Sequence, residues 1–309
     1  MKTKCVYVLV SNENDYYYEQ TLCSLYSLRL HNPCALVYIV VDENTEKTFT
    51  DKRAAICDYV TEVVGIDVPE EFNQMQKSRY LKTNLRDFIE GDFIFIDSDT
   101  IITSPLNLVD EFTFEIGAVA DAHVCIGRHR MAKKIREWAD VGGWSVDDKK
   151  PYFNSGVIYV KDSDTTHKFY KLWYHFWYEN YKKGLSKDQS SLARTDAEMG
   201  YVMKDLGGEW NCQLIEGGLK YFGTAKILHY YAARSKSPYL FNRNETFDDL
   251  KKTGMLSDEI KNLILNPCSA FADDSMVISG TNKEMLKMAF SREYVQNMPP
   301  PLRKLLQLF

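Results

Sequence analysis

This 309-residue sequence predicts an α/β fold: a mixed, mostly parallel central sheet flanked by helices, with a helical extension at its C-terminal end. Three observations carry that expectation. Short apolar, β-branched runs alternate with helical patterns from the first residues onward. The runs are near-continuous rather than alternating, as in strands covered on both faces. Polar residues close them, namely Ser11-Asn12, Asp42 and Asp97-Ser98-Asp99, and in open α/β sheets ligands gather beyond such strand ends.

Taken in order, Cys5–Val10 is a strand and Glu13-Asn14-Asp15 a polar turn. Leu22, Leu25 and Leu28 then give a helix its buried stripe, and Asn32-Pro33 stops it. Leu36–Val41 is a second strand, Thr45–Cys57 a helix and Val60–Ile66 a third strand. Gln74–Ile89 reads as one helix leading into GDFIFIDSDT, where Phe93–Ile96 form a fully buried strand. Ile101-Ile102 is a brief strand, Gly117–Val124 another, Arg128–Trp138 a helix and 142–150 a polar loop. In PYFNSGVIYV, Asn154-Ser155-Gly156 precede a strand over Val157–Val160, and glycine there permits close approach of backbone to a ligand. Thr165–Tyr181 is an aromatic helix whose Phe169, Trp173 and Phe176 pack. Asp188-Gln189 stand ahead of a further helix, and Lys226–Tyr231 is a late strand bearing His229. Composition changes near residue 240, dividing the chain into a catalytic domain over 1–240 and an extension over 241–309 with helices at 244–253, 257–265 and 281–294.

Bulk properties narrow the function. A 45% apolar fraction predicts a packed protein rather than a disordered one, and a net charge of −5 argues against a nucleic-acid surface. Seven scattered cysteines form no zinc spacing, and their odd number excludes a full disulfide framework, so a cytoplasmic protein with reduced thiols is expected. The apolar part of the first segment, CVYVLV, is too short for a signal sequence, and no run reaches membrane-spanning length.

The chemistry centres on Asp97 and Asp99. In extended geometry residues i and i+2 point the same way, so both carboxylates face one object. Two bare carboxylates held together repel, which makes that object a cation, and carboxylate oxygens suit Mg²⁺ or Mn²⁺ with phosphate oxygens behind it. Neither the dinucleotide fingerprint GxGxxG nor the phosphate loop GxxxxGK[ST] is present, so phosphates would be held by a metal and side chains. Lys77, Arg79, Lys82 and Arg86 lie on the helix before this strand. As a bare pattern they read as a solvated face, with a diphosphate-facing set as the alternative.

Five ordered blocks over about residues 4–240 carry a likeness. They are the first strand with Ser11, Asn12 and Tyr16; SRYLKTNLRDF running into FIFIDSDTII; YFNSGVIYV; Lys187-Asp188-Gln189; and ILHYYAARSKSPY. In this order they resemble the retaining glycosyltransferase family that includes glycogenin and the bacterial lipopolysaccharide galactosyl- and glucosyltransferases, family 8, with the GT-A nucleotide-diphospho-sugar transferase fold. The resemblance implies that Asp97, Asp99 and His229 ligate Mn²⁺, with Mg²⁺ as substitute, on the diphosphate of a UDP-sugar, UDP-glucose or UDP-galactose. It implies that Asn12 and Tyr16 lie by uracil and ribose, that Arg79 or Lys82 touches donor sugar or phosphate, and that Ser11, Ser98 and Ser155 belong to the donor-binding set. Asn154 and Asp188 hold sugar hydroxyls, Gln189 lies near the reacting face, and Lys236 approaches the leaving diphosphate. Asp188 stays open as a nucleophile.

The acceptor implied is a glycan or glycolipid hydroxyl, as in polysaccharide or lipopolysaccharide biosynthesis. The terminal PLRKLLQLF reads either as a peripheral membrane contact or as a helix packed on its own domain. Two alternatives compete. IDSDT also resembles the DxDxT of haloacid-dehalogenase-type phosphatases, with Asp273-Asp274 as the later acid pair, but three predicted strands precede it where that motif closes the first. A sugar nucleotidyltransferase would need a glycine-rich basic loop after the first strand, which is missing.

Overall fold

The computed structural model describes residues 1–231, 237 and 239–271. The chain opens with β1 (Lys4–Leu9), α1 (Tyr17–His31), β2 (Val37–Asp42), the single-turn α2 (Glu43–Glu46) and β3 (Glu62–Ile66). Next come α3 (Gln74–Thr83), α4 (Leu85–Phe88), β4 (Phe93–Ile96), β5 (Thr100–Ile102), β6 (Ile116–Cys125) and α5 (Ala132–Gly142). The second half holds β7 (Pro151–Val160), α6 (Asp164–Lys182), α7 (Asp188–Glu198), β8 (Lys204–Asp205), β9 (Cys212–Gln213), β10 (Ile227–His229), α8 (Asp248–Thr253) and α9 (Asp258–Leu265).

Seven strands form the central sheet in the order β3-β2-β1-β4-β7-β6-β8. The β3, β2, β1 and β4 neighbours run parallel, and β7 runs antiparallel to both β4 and β6. β4 therefore sits mid-sheet. Its Phe93, Ile94, Phe95 and Ile96 are each at most 1% exposed, which contributes roughly 1.5–3 kcal/mol per side chain. Alternation sends Ile94 and Ile96 to the face covered by the α1 leucines, and Phe93 and Phe95 to the face covered by Leu81, Leu85, Trp173 and Trp177. A second, three-stranded sheet has the order β5-β10-β9. The described chain after 240 joins the α1 side of the core through Phe241, Phe247, Leu250, Ile260 and Ile264.

Several sequence expectations are corrected. Thr45–Cys57 is not one helix: α2 ends after one turn, Asp51 adopts φ 47°, and a 3-10 segment Asp51–Tyr59 follows. The helix over Gln74–Ile89 breaks at Asn84, whose Nδ2 donates back to the Tyr80 carbonyl at 2.8 Å. The helix placed at Arg128–Trp138 starts at Ala132 and runs to Gly142, ended by Gly143 at φ 73°. Asn154-Ser155-Gly156 lie within strand β7 rather than before it, because Phe153 and Asn154 pair with Ala120 and Val119 of β6 and the Asp97 N–H donates to the Gly156 carbonyl at 2.8 Å. Asp188 and Gln189 form the first turn of α7, not the loop before it. Lys236, Asp273-Asp274, the helix at 281–294 and the tail over 299–309 lie outside the described residues.

Candidate active site

Three elements deliver three ligand atoms to one point. β4 ends at Ile96, so Asp97 and Asp99 project from the loop between the two sheets. β10 then runs antiparallel to β5 with His229 opposite Thr100, and Tyr230 N–H donates to the Asp99 carbonyl at 3.1 Å. The second sheet thus folds His229 back onto the acid pair. One atom each from Asp97, Asp99 and His229 lie within 4.8 Å of one another.

The imidazole orientation follows from its partners. Asn211 Nδ2 donates to Asn154 Oδ1 at 2.9 Å, so Asn211 Oδ1 is the acceptor for His229 Nδ1–H at 3.0 Å. That leaves Nε2, 3.1 Å from Asp99 Oδ1, as the ring atom on the acid side. Burial works to lower the His229 pKa, but Asp99 and then Asp97 outweigh it and raise it. Two carboxylates and an imidazole anchored through its other nitrogen are a fitting donor set for Mn²⁺. Three side-chain ligands are fewer than such an ion takes, which leaves positions for phosphate oxygens or water.

Gly156 closes this cradle from below. A Cβ there would sit 2.4 Å from His229 Cε1 and 2.9 Å from Asp97 Oδ2. If a divalent ion binds this group, Gly156→Ala should weaken its affinity roughly 10–100-fold by displacing Asp97 and His229, a loss that metal titration reads directly.

A buried ion-pair group stands beside the three ligands. Asp97 has the same strand parity as Phe95, and Lys82 Nζ sits 4.7 Å over the Phe95 ring and 3.3 Å from Asp97 Oδ1. The same ammonium reaches Asp188 Oδ2 at 3.3 Å and Ser155 Oγ at 3.2 Å, while Arg79 Nε lies 2.9 Å from Asp188 Oδ1. Ser155 Oγ donates to Asp188 at 2.9 Å. Burial alone would raise the Asp188 carboxyl, but Lys82, Arg79 and Ser155 hold it well below the usual carboxylate range. The aromatic helix positions it: Trp173 Nε1 donates to the Asp188 carbonyl at 3.0 Å and Trp177 Nε1 to that of Ser186 at 3.1 Å.

The basic helix face is therefore not solvated. Lys82 and Arg86 are 3% and 2% exposed. The four cations also serve different ends. Lys77 pairs with Asp42 at 3.2 Å, and Arg86 turns away to Asp162 and the Gly91 carbonyl, whereas both Arg79 and Lys82 meet Asp188.

In front lies a cleft of about 670 Å³, lined by the end of β1, the start of α1, Asn73–Met75, Arg79 and Asp97–Asp99. Tyr16 is on its wall, with its hydroxyl donated to Asp248 Oδ1 at 2.7 Å and Lys251 Nζ 4.2 Å from its ring centre. Ser11 is buried, giving a hydrogen bond to Asp15 at 2.7 Å and accepting one from Arg53 at 2.9 Å. Asn12 is exposed and holds Gln74 Oε1 at 3.2 Å. Ser98 faces the cleft and accepts from Thr21 Oγ1 at 2.8 Å.

Sequence reasoning missed Asn211, which holds His229, and Asp121. Asp121 Oδ1 accepts from Asn154 at 2.9 Å, and its Oδ2 accepts from His129 Nε2 at 3.1 Å, since His129 Nδ1 is occupied by Met131 N–H. Burial pushes the Asp121 carboxyl up, but hydrogen bonds from His129, Asn154 and Gln189 bring it below its ordinary value. Gln189 thus stands beside Asp121. A signal existed: Asp121 interrupts the apolar run GAVADAHV, and a buried acid inside a strand needs partners. Ala122 and His123, at φ 55° and 56°, form the bulge that presents it.

No family model matches the sequence, and no curated protein matches it. The fold does have counterparts. The chain is similar to the galactosyltransferase LgtC in complex with donor and acceptor sugar analogues, with TM-score 0.54 and 15% identity over 84% of this chain and 99% of that one. It is similar to the bifunctional glycosyltransferase WbbM, with TM-score 0.56 and 15% identity over 84% of this chain but only 51% of WbbM, so it spans about half that protein. Mouse xyloside xylosyltransferase 1 gives TM-score 0.51 and 14% identity over 74% of this chain and 97% of that one. These likenesses show that the chain has the GT-A glycosyltransferase fold. No described helix is long and apolar enough to cross a membrane.

Proposed function

We propose that this protein is a metal-dependent, retaining glycosyltransferase that moves a hexose from a UDP-sugar to a hydroxyl of a glycan or glycolipid. One observation carries the reading: Asp97, Asp99 and His229 converge at the lip of a nucleotide-sized cleft, next to the buried Lys82–Asp188–Arg79 group. The GT-A fold supports it, and a phosphatase or nucleotidyltransferase reading leaves His229 and Asp188 without a task.

In transfer, the bond from the anomeric carbon to the diphosphate oxygen breaks with its electron pair going to UDP. The acceptor oxygen bonds to the same carbon, and its proton passes to the departing phosphate oxygen. A divalent ion held by Asp97, Asp99 and His229 would neutralise the charge that develops on the diphosphate. The chain's own groups do the rest. Arg79, on the cleft wall, and Lys82 add positive charge near the phosphates. Asn154, Asp188 and Gln189 line the proposed sugar side of the site, and a wrong epimer that leaves a polar group there without its hydroxyl partner would be discriminated against. Both Asp188 oxygens are occupied by Arg79, Lys82 and Ser155, which favours a positioning role and front-face attack over a covalent intermediate. Lys236, approaching the leaving diphosphate, completes the proposed set, and the 299–309 tail is the proposed membrane contact for a lipid-linked acceptor.

Calorimetric titration of UDP with and without Mn²⁺ tests the reading. Binding that strengthens at least tenfold with Mn²⁺ is expected; equal binding in its absence would count against the metal-dependent mechanism.

A further inference from the structure

Two carboxamides on the cleft wall have no hydrogen-bonding task among the described residues. Gln20 is 2% exposed and Asn244 half-buried; both line the cleft, and neither side chain makes a hydrogen bond among the described residues. Gln20 Oε1 and Asn244 Oδ1 are both buried without a partner. Nearby amides in the same region are satisfied: Gln74 bonds the Val10 carbonyl, and Asn73 caps α3. Buried amides without partners are uncommon in native structures and point to a partner supplied from outside the chain.

Their placement selects the partner. The turn of α1 that carries Gln20 abuts the acid loop, because the adjacent Thr21 donates to Ser98 at 2.8 Å. Asn244 reaches the same cleft from the opposite part of the chain. It is held there by α8, whose Asp248 accepts the Tyr16 hydroxyl and whose Lys251 donates to the Asp15 carbonyl. In a nucleoside diphosphate whose phosphates lie at Asp97 and Asp99, the next group along is the ribose, with two vicinal hydroxyls that each donate and accept. The exposed ring of Tyr17 and side chain of Met75 at the cleft mouth offer apolar surface to the base beyond it.

We infer that Gln20 and Asn244 form the ribose subsite, each taking one of the two vicinal hydroxyls, so that the segment after residue 240 completes the donor pocket. The inference rests on the nucleotide-sugar reading above.

The test pairs variants with altered ligands. UDP, 2′-deoxy-UDP and 3′-deoxy-UDP are titrated with Mn²⁺ into the wild-type protein, Gln20→Met and Asn244→Leu, with thermal melting as a fold control. In the wild type, each missing hydroxyl is expected to weaken binding roughly three- to tenfold. Each variant should weaken UDP by a similar factor and lose the penalty for one deoxy ligand only. Unchanged deoxy penalties in both variants would overturn the inference while leaving the UDP reading intact. A changed preference for UDP over CDP, with deoxy penalties unaltered, would place the amides against the base and overturn it too. Should Gln20→Met fail to fold, the wild-type deoxy penalties and the Asn244→Leu protein still decide. Failure of the wild type to bind any UDP would sink both this inference and the activity on which it rests.

Discussion

Asp97→Asn and Asp99→Asn should each lower Mn²⁺-dependent transfer by two to three orders of magnitude or more while leaving the melting temperature near the wild-type value. The size follows from removing stabilisation aimed at charge that develops in the transition state, worth on the order of 10²–10³-fold for one group. The modest stability effect follows from the environment. Both carboxylates are half-buried at a loop, and relieving repulsion between two close acids offsets lost contacts. Asp97 is the more informative, because Lys82 Nζ lies 3.3 Å from it and also serves Asp188. In Asp97→Asn the lysine keeps Asp188 as partner, so the pocket persists. A transfer rate within threefold of wild type in either variant would remove the acid pair from the mechanism.

Asp188→Asn should behave differently, losing both activity and stability. Lys82, with its side chain 4% exposed, and the guanidinium of Arg79 would then lack their common carboxylate, and breaking a buried pair by removing one partner costs about 3–5 kcal/mol. The pH dependence carries a second signature. The folded Asp188 pKa lies below the unfolded value of about 3.9, so its contribution to stability is complete above that value and is lost as pH falls through the folded one. The wild type should therefore lose stability on acidification more steeply than Asp188→Asn, and their unfolding free energies should converge at low pH. Parallel curves, or a variant as stable as the wild type at neutral pH, would show that the buried pair does not hold this part of the fold.

Much of this geometry is legible in the sequence because it rests on local pattern. The Phe93–Ile96 run, closed by alternating acids, fixes both a mid-sheet strand and the direction of its carboxylates; β4 has that form. The α1 stripe of Leu22, Leu25 and Leu28 is buried as periodicity requires. What escapes is whatever tertiary pairing decides. The Lys77–Arg86 cations look like a solvated face because nothing local announces Asp188, more than a hundred residues later, or the separate partners Asp42 and Asp162. Asn154–Gly156 read as preceding the strand because small polar residues favour turns, yet pairing of Phe153 and Asn154 with β6, and the Asp97 N–H on the Gly156 carbonyl, overrides that preference. Asn211 has no motif at all; its task exists only once β9 and β10 lie side by side. Gln20 sits in a helix whose buried face extends well beyond its leucines, so its polarity reads as incidental until the cleft is seen.

Metal-dependent, retaining hexose transfer is tested by a screen of UDP-glucose, UDP-galactose and their N-acetyl forms for Mn²⁺-dependent UDP release, followed by NMR assignment of the new anomeric centre. One of the two unmodified hexose donors should release UDP only with the divalent ion and give an α-linked product from the α-linked donor. A β-linked product, or release from no donor in the presence of Mn²⁺ and a range of glycan acceptors, would contradict it.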